Sequence, residues 1–352
     1  MTEEKTTDVL KTPTYKDKLF GRMWKVSVLI PKSKSTTEGS ALSEYTEYIL
    51  SSSNEEDKAL RVTFSIERKY GVALNMSEII IYNLNPEMEN LIIENGYRVR
   101  VEAGYVNGKY GLICDSTIYQ PMWEREDNVT TKLTLLCVDC LNQIHDNWII
   151  DSSPQLQYQR KLVATMAKKA RKSPITLNDS DISPNAANAR MPRGVVVLEN
   201  AMDYIRRYCQ LSGTLPTVVN NKIVLHRMQD PLSAEAKKNM IVVTAGKGGS
   251  LIGVPQQTEK GATFTCLLNP EITVVMPPNV IKIDNSFLRQ LKLQYGKTAF
   301  YNFDQDWTYS IVGVTHAGDT RGNEWYSNVV AINRNLVLAE PTIFDSPTAP
   351  MK

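Results

Sequence analysis

Residues 79–119 read IIIYNLNPEMENLIIENGYRVRVEAGYVNGKYGLICDSTIY, and the local signals in them decide what kind of fold the chain can adopt. Ile79 to Tyr82 is a short apolar run suited to a strand buried on both faces. It stops at Asn83-Leu84-Asn85-Pro86, where Asn85 can cap a helix. Pro86 suits the first helical position, because the N–H that proline lacks would be unpaired there. Glu87 and Glu89 then fall in the first turn, where negative charge meets the positive end of the helix dipole. Leu91, Ile92 and Ile93 give this helix an apolar side, and Asn95-Gly96 ends it with a residue that tolerates positive φ. From Tyr97 the period becomes two: Tyr97, Val99, Val101 and Ala103 alternate with Arg98, Arg100 and Glu102, one face for a core and one for water. Gly104 to Gly108 reverses the chain, with Asn107-Gly108 as the hairpin signal, and Leu112 to Tyr119 returns. None of this needs a reactive group.

Working outward, Trp24 to Ile30 (WKVSVLI) alternates as a strand does, and Leu60 to Glu67 (LRVTFSIE) places Leu60, Val62, Phe64 and Ile66 on one side. Between them, 31–56 is rich in Ser, Thr, Glu and Lys and reads as a long surface loop with a short helix. Thr130 to Val138 (TTKLTLLCV) adds a strand, giving about six to eight, enough for a small closed or nearly closed barrel. After Trp148 the character changes. Ser153-Pro154 reads as a cap, and Leu156, Leu162, Val163, Met166, Ala167 and Ala170 recur at helical spacing until Pro174. A second stripe, Leu198, Ala201, Met202, Ile205, Tyr208 and Cys209, ends at a capping Gly213. Thr217 to Leu225 is a hairpin around Asn220-Asn221. The expected organisation is a flexible arm (1–18), a first β-barrel (19–147), an α+β middle unit (148–240), a second β-barrel (241–335) and a tail (336–352). The fold class is therefore mainly β with α+β: two small barrels separated by a helix-plus-hairpin unit.

With 352 residues, two or three domains are expected. Forty Lys and Arg against 38 Asp and Glu leave a net charge of +2, which argues against a protein built to neutralise phosphates. The first 18 residues contain no apolar signal-peptide core, and no run approaches the ~20 apolar residues of a membrane span. Five scattered cysteines fit reduced thiols better than a disulfide framework.

Each candidate for chemistry has a plainer alternative. Cys137-Val138-Asp139-Cys140 is a C-x-x-C without a second Cys pair or a nearby His pair, at the end of a strand. Gly246-Lys247-Gly248-Gly249-Ser250 misses the phosphate-loop spacing and reads as an inter-strand loop. Of the three histidines, His316 is the one beside polar turn residues, Gly318, Asp319, Thr320 and Arg321. An acid/base pair with Asp319 lacks a nucleophile, whereas hydrogen bonds to turn backbone explain both residues. Lys168, Lys169, Arg171 and Lys172 could touch DNA or simply complement a helix dipole. Trp307, Trp325 and the tyrosines form no evenly spaced stacking platform. No catalytic, cofactor-binding or metal residue is assigned, and no cofactor is expected.

The order IYNLNP, short helix, NGYRVRVEAGY, turn and return strand resembles the first barrel of phage tail hub proteins, the late-control-protein D-like family that also supplies the base of VgrG spikes. A second block strengthens the resemblance: GATFTCLLNP (261–270), VIKID (280–284) and YSIVGVTHAGDTRGNEWYSNVVA (309–331) are similar to the family's last barrel. The likeness covers most of Lys25 to Asn333. It implies a non-enzymatic virion protein of the tail baseplate or tip, assembled in the bacterial host cytoplasm. The implied assembly is a homotrimeric hub joining a sixfold tail tube to a threefold central spike, lining a channel through which DNA passes without specific binding. The implied partners are the tube protein, the spike protein and other baseplate or tail-tip proteins. Subunit or tube contacts are expected at Asn83, Asn85, Pro86, Tyr97, Val99, Gly104, Tyr105, Tyr309, His316, Asp319, Arg321 and Trp325. One departure is that the family carries glycine after the aspartate that closes the first barrel, where this chain has Cys140. The chain also ends soon after its second barrel, so a lytic module is expected on another chain. A hexameric distal tail or tube protein is the neighbouring alternative, and a cell-wall-degrading enzyme of the tail tip is a more distant one.

Overall fold

A computed structural model describes residues 21–34, 36, 40–52, 59–71, 75–227, 240–246, 248–258, 261–275, 280–284, 292–293 and 308–333. The first half contains β1 (Arg22–Pro31), β2 (Tyr45–Ser51), β3 (Val62–Lys69), β4 (Met76–Tyr82), helix α1 (Pro86–Asn95), β5 (Arg98–Tyr105), β6 (Tyr110–Arg125) and β7 (Thr131–Val138). After a one-turn helix α2 (Leu141–Ile144), the middle unit contains β8 (Trp148–Ser153), α3 (Gln159–Lys168), β9 (Val195–Asn200), α4 (Ala201–Ser212), β10 (Leu215–Val219) and β11 (Lys222–His226). The second half contains β12 (Ile241–Thr244), β13 (Leu251–Gln257), β14 (Gly261–Leu267), β15 (Val280–Asp284), β16 (Lys292–Leu293), β17 (Thr308–Asp319) and β18 (Trp325–Asn333).

The strand that opens the deciding stretch begins earlier than its apolar run. In β4 it is Ser77, Ile79 and Ile81 that are buried while Ile80 and Tyr82 are half-covered, so it alternates rather than being buried on both faces. Helix α1 starts as its sequence dictates: the Asn85 side chain accepts from the Glu87 N–H at 3.0 Å, and proline holds the first position. Its end has a different cause from the one expected. Gly96 has φ −62°, and glycine is needed because a Cβ there would lie 2.5 Å from the Ile92 carbonyl oxygen. The segment read as surface loop contains β2, which pairs with β1 in register from Lys25 with Ser51 to Pro31 with Tyr45.

The two halves repeat one topology. Across the sheet, the first half runs β3-β4-β7-β6-β5-β1-β2, and the second runs β13-β14-β18-β17-β15-β12, with β16 beside β13. The matched strands also occur in the same chain order. The hydrogen-bonding sense matches at each step except the last, where β12 and β15 are parallel and β1 and β5 antiparallel. Even the turns correspond. Asn269 accepts from the Glu271 N–H at 3.0 Å as Asn85 does from Glu87, and the preceding leucines, Leu84 and Leu268, are both buried.

Mainly β architecture is thus observed, but the halves are not two closed barrels in series. Strand β17 pairs antiparallel with β3, from Gly313 with Lys69 to Asp319 with Thr63, and fuses both halves into one 14-stranded sheet. No ladder closes either half among the described residues. The edge β3 presents is consumed by this junction, so it is unavailable for closure. Two cores lie along the sheet. One is built on Val26, Ile66, Ile79, Val101 and Leu135 and receives Leu268 and Trp325 from the second half; the other is built on Phe264, Ile281, Ile311 and Val329.

The middle unit has its own core under α3 and α4, with Val163, Met166, Ile205 and Tyr208 buried. Gly213 ends α4 in the left-handed region, φ +63°, and Asn220 and Asn221, at φ 52° and 57°, make the two-residue turn of the β10–β11 hairpin. Two elements depart from the expected pattern. Leu198 belongs to β9 and not to the helix, and α3 begins at Gln159, since Trp148–Ser153 is strand β8, paired with β9.

Candidate functional site

Two polar knots hold the three parts together. The first is at the junction of the halves. Strand β3 and the β17–β18 turn exchange backbone bonds: Thr320 N–H donates to the Val62 carbonyl at 3.0 Å, and Val62 N–H to Thr320 Oγ1 at 2.9 Å. Asp319 leaves β17 pointing at Arg61, which reaches it through Nη2 at 2.7 Å and Nε at 3.3 Å. Burial works against ionisation of Asp319, but Arg61 and the N–H groups of Arg321 and Gly322 outweigh it and hold the carboxyl below its ordinary value. Arg22, from β1, donates to the carbonyls of Asp319 (2.8 Å) and Gly322 (2.5 Å) and lies over the Trp325 ring at 5.5 Å. Trp325 meets Phe64 edge to face at 5.5 Å. Arg321 is exposed, and its Nη2 donates to the Ala59 carbonyl at 2.7 Å. Gly318 is fixed by the same packing, because a Cβ would stand 2.3 Å from Phe64.

The second knot joins the middle unit to the first half. The Asn220-Asn221 turn inserts at the base of β3, β6 and β7. Arg68, 2 % exposed, faces fully buried Asp139 at 3.6 Å. Asp139 also accepts from Ser116 Oγ and from the Asn220 N–H at 3.1 Å. Arg68 donates to Ser77 Oγ (3.1 Å) and to Asn220 Oδ1 (3.3 Å), an oxygen that also takes the Asp115 N–H at 3.2 Å. Asn221 Oδ1 accepts the Cys140 N–H at 2.8 Å. Cys140 has φ 52° and ψ 32°, so the position where the resembling family has glycine is indeed left-handed. Its strain is tolerated because the Asn221 contact holds the local backbone. Nearby, Asn75 Nδ2 donates to the Val218 carbonyl at 2.5 Å and Gly71 N–H to Thr217 Oγ1 at 3.3 Å.

The candidates for chemistry settle into structural roles. His316 is 2 % exposed, with Nδ1 2.8 Å from Ser327 Oγ, and burial, helped by the Arg68 charge, pushes its pKa down to about 3. A neutral, enclosed imidazole and a carboxylate bound to Arg61 do not make an acid/base pair. Cys137 and Cys140 are buried free thiols; burial pushes the Cys137 thiol well above its ordinary value, away from the thiolate that a metal requires. Among the described residues, no group of His, Cys, Asp and Glu could hold a metal, and no helix is long and apolar enough to cross a membrane. Lys169 pairs with Asp151, and Lys172 approaches Asp146 at 3.8 Å. Lys247 and Trp307 lie outside the described residues.

The twelve residues expected at contacts fall into two sets. Asn83, Asn85, Pro86 and Arg321 are exposed, and Tyr97 is half-buried, stacked on Tyr45 at 6.3 Å and accepting from Asn142 at 3.1 Å. Val99, Gly104, Tyr105, Tyr309, His316, Asp319 and Trp325 are buried within the chain. The junction brings Asp319, Arg321 and Trp325 together. Arg68 and Asp139 escaped sequence reasoning, although a signal existed: Val62, Phe64 and Ile66 alternate inward, and Arg68 is the next residue on that face.

No family model matches the chain, and no curated protein matches it in sequence. Solved structures do match. A tail protein from Neisseria meningitidis MC58 aligns with a TM-score of 0.50 at 7 % identity, over 89 % of this chain and 97 % of that one. The 43 kDa tail protein of prophage MuSo2 from Shewanella oneidensis aligns with a TM-score of 0.47 at 9 % identity, over 88 % and 98 %. The Francisella PdpA-VgrG complex, half-lidded, aligns with a TM-score of 0.49 at 9 % identity, over 90 % of this chain and 58 % of the matched chain. The structural neighbours are thus tail proteins and VgrG spike complexes, and the fold is that of the Neisseria tail protein.

Proposed function

We propose that this chain is a subunit of a ring-shaped hub in a phage tail or a related injection particle, three copies surrounding an axial channel. The observation that carries the reading is the repeated topology: each chain supplies two equivalent β halves already joined edge to edge through β17 and β3. Three copies then present six equivalent halves, which suits a sixfold tube on one side and a threefold spike on the other. Each half curls around its own core, and its barrel is completed by neighbouring halves rather than by its own strands. The likeness to a tail protein supports this placement, and a net charge of +2 suits a channel that passes DNA without gripping it. The partners are the tube protein, the spike protein and other tail-tip proteins. The buried state of His316 and the Arg61 pairing of Asp319 favour a structural role over a lytic one.

The test is the mass of the purified chain by light scattering, with negative-stain images of the same fractions. A threefold ring with a central opening is expected. A hexameric ring would instead make this a distal tail or tube protein. A compact monomer that stays monomeric with tube and spike proteins would overturn the assembly reading.

A further inference from the structure

The middle unit carries a charge and a surface that neither β half uses. Residues 148–227 hold twelve Lys and Arg against five Asp and Glu. That is a surplus of seven positive charges in a chain whose net charge is +2, so everything outside this unit is net negative by five. The five acids are already engaged. Asp151 pairs with Lys169, Asp179 with Arg160, Glu199 with Arg207 and Asp203 with Arg206, while Asp181 accepts the Asn178 N–H at 2.8 Å. Among the described residues, Lys168, Arg171 and Arg193 have no acidic partner, and all three are exposed.

The surface is the outer face of the β8–β9 ribbon. Its inner residues, Ile149 and Val197, are buried in the core under α3 and α4. On the other face the register sets Ile150 opposite Leu198, Trp148 opposite Asn200 and Ser152 opposite Val196. Trp148 and Ile150 are each 44 % exposed, Leu198 67 % and Val196 80 %, so four large apolar side chains stand in water on one two-stranded sheet. Free cations sit at both ends of this strip. Arg171 N–H donates to the Trp148 carbonyl at 2.9 Å, which fixes Arg171 beside the first end. Beyond Ser153 the ribbon continues, Leu156 N–H donating to the Met191 carbonyl at 2.8 Å and Met191 N–H to the Gln157 carbonyl at 2.9 Å. Arg193 falls between this extension and β9.

An aliphatic strip between cations selects its occupant. A phosphodiester backbone would satisfy the cations but gain nothing from Ile150, Val196 and Leu198, and one tryptophan is no stacking platform. Hydrocarbon would cover the strip but strip Ser152, on the same face, of its water. A protein segment that is apolar on one side and acidic at its ends answers both requirements. A sheet covered by helices on one face is completed by a helix on the other. Strands of six residues span about 20 Å, the length of a helix of roughly 13 residues.

We propose that the outer face of the β8–β9 ribbon docks an acidic amphipathic helix belonging to another protein of the tail particle. The apolar stripe of that helix lies on Trp148, Ile150, Val196 and Leu198, and carboxylates near its ends meet Arg171 and Arg193. The site goes beyond the ring reading, because it uses neither β half; only the source of the helix rests on the tail placement.

The experiment places a photo-cross-linking amino acid, p-benzoylphenylalanine, at position 198 of the full-length chain, irradiates purified particles and maps the adduct by mass spectrometry. The expected adduct is a segment of a different protein, net negative, with apolar residues at helical spacing. That segment, made as a peptide, should bind the purified wild-type chain, and Leu198→Glu should abolish binding. Arg171→Glu with Arg193→Glu should weaken it about tenfold and flatten its salt dependence. All the substituted positions are exposed, so both variants should melt with the wild type. An adduct on a second copy of this chain, on DNA or on a neutral or basic segment overturns the proposal, as does the absence of any adduct in particles that contain the chain. Flotation of the purified chain with phosphatidylglycerol vesicles, lost in Leu198→Glu, would assign the face to a bilayer instead. A chain absent from the particles altogether overturns the tail placement, and the proposed partner falls with it.

Discussion

His316 shows what one enclosed side chain does to the whole stability curve. Burial lowers its pKa to about 3, whereas in an unfolded chain it titrates near ~6.5. Between those values the unfolded state binds more protons than the native state, so stability is complete above pH ~6.5 and is lost as pH falls toward 3. At pH 4.5 the loss from this group is roughly 3 kcal/mol at 1.4 kcal/mol per pH unit. Urea unfolding of wild type and His316→Asn at pH 7.5 and 4.5 checks it: the variant should lack this part of the acid sensitivity, and parallel pH profiles would refute the assignment. Arg68 and Asp139 make the complementary case of a buried pair. Arg68→Met strands the carboxylate and should cost about 3–5 kcal/mol, while Arg68→Met with Asp139→Leu should recover much of that; chemical denaturation of both variants measures the difference. The two members of this pair were unequally legible. Period two placed Arg68 on the inner face, but nothing local says which carboxylate meets it, because Asp139 lies 71 residues away.

At the scale of the element, legibility followed locality. Helix α1 is capped by Asn85 within its own first turn, and α4 ends at Gly213 with a left-handed φ, so each boundary was written in adjacent residues. The β8–β9 ribbon was not. Its strands are separated by α3, and Val196 and Leu198 on its outer face are 80 % and 67 % exposed, so the apolar alternation that marks a half-buried strand is missing. Strand β2 hid for a related reason: only Tyr45 is fully buried in it. The β10–β11 hairpin was readable as a hairpin, yet not as the plug that docks the middle unit. Its turn makes a prediction. Asn220→Gly with Asn221→Gly keeps the positive-φ turn but deletes the side-chain oxygens that accept from Arg68, Asp115 and Cys140. Each buried donor left unpaired costs about 1–3 kcal/mol. Hydrogen exchange should therefore quicken in 215–226 and at the base of β7 while the core of the second half keeps its protection. Uniform acceleration everywhere would mean that the turn supports global stability instead.

Across the whole molecule, the sequence conveyed two sets of strands but not their fusion, since the β17–β3 pairing joins residues about 250 positions apart and depends on the fit of Gly318 against Phe64. That junction determines how the chain unfolds. Leu268 and Trp325 of the second half are buried in the core of the first, and the Arg22 and Arg61 bonds to the Asp319 turn cross the same boundary. Cores that share side chains across a continuous sheet are expected to melt together, so calorimetry on the wild-type chain should give one transition for both halves. Gly318→Val attacks the junction and little else. Its side chain would enter the space of the Phe64 ring, where overpacking costs roughly 1–3 kcal/mol, and relief requires β17 to move away from β3. The expected outcome is two separated transitions, the lower one accompanied by a rise in solvent exposure of Trp325 fluorescence. A single transition, merely shifted down, would show that the halves remain coupled without the β17–β3 ladder. In that case coupling would run through the shared core residues Leu268 and Trp325 together with the Arg22 and Arg61 contacts, and Arg22→Ala with Arg61→Ala in the same background would show how much of it the arginines carry.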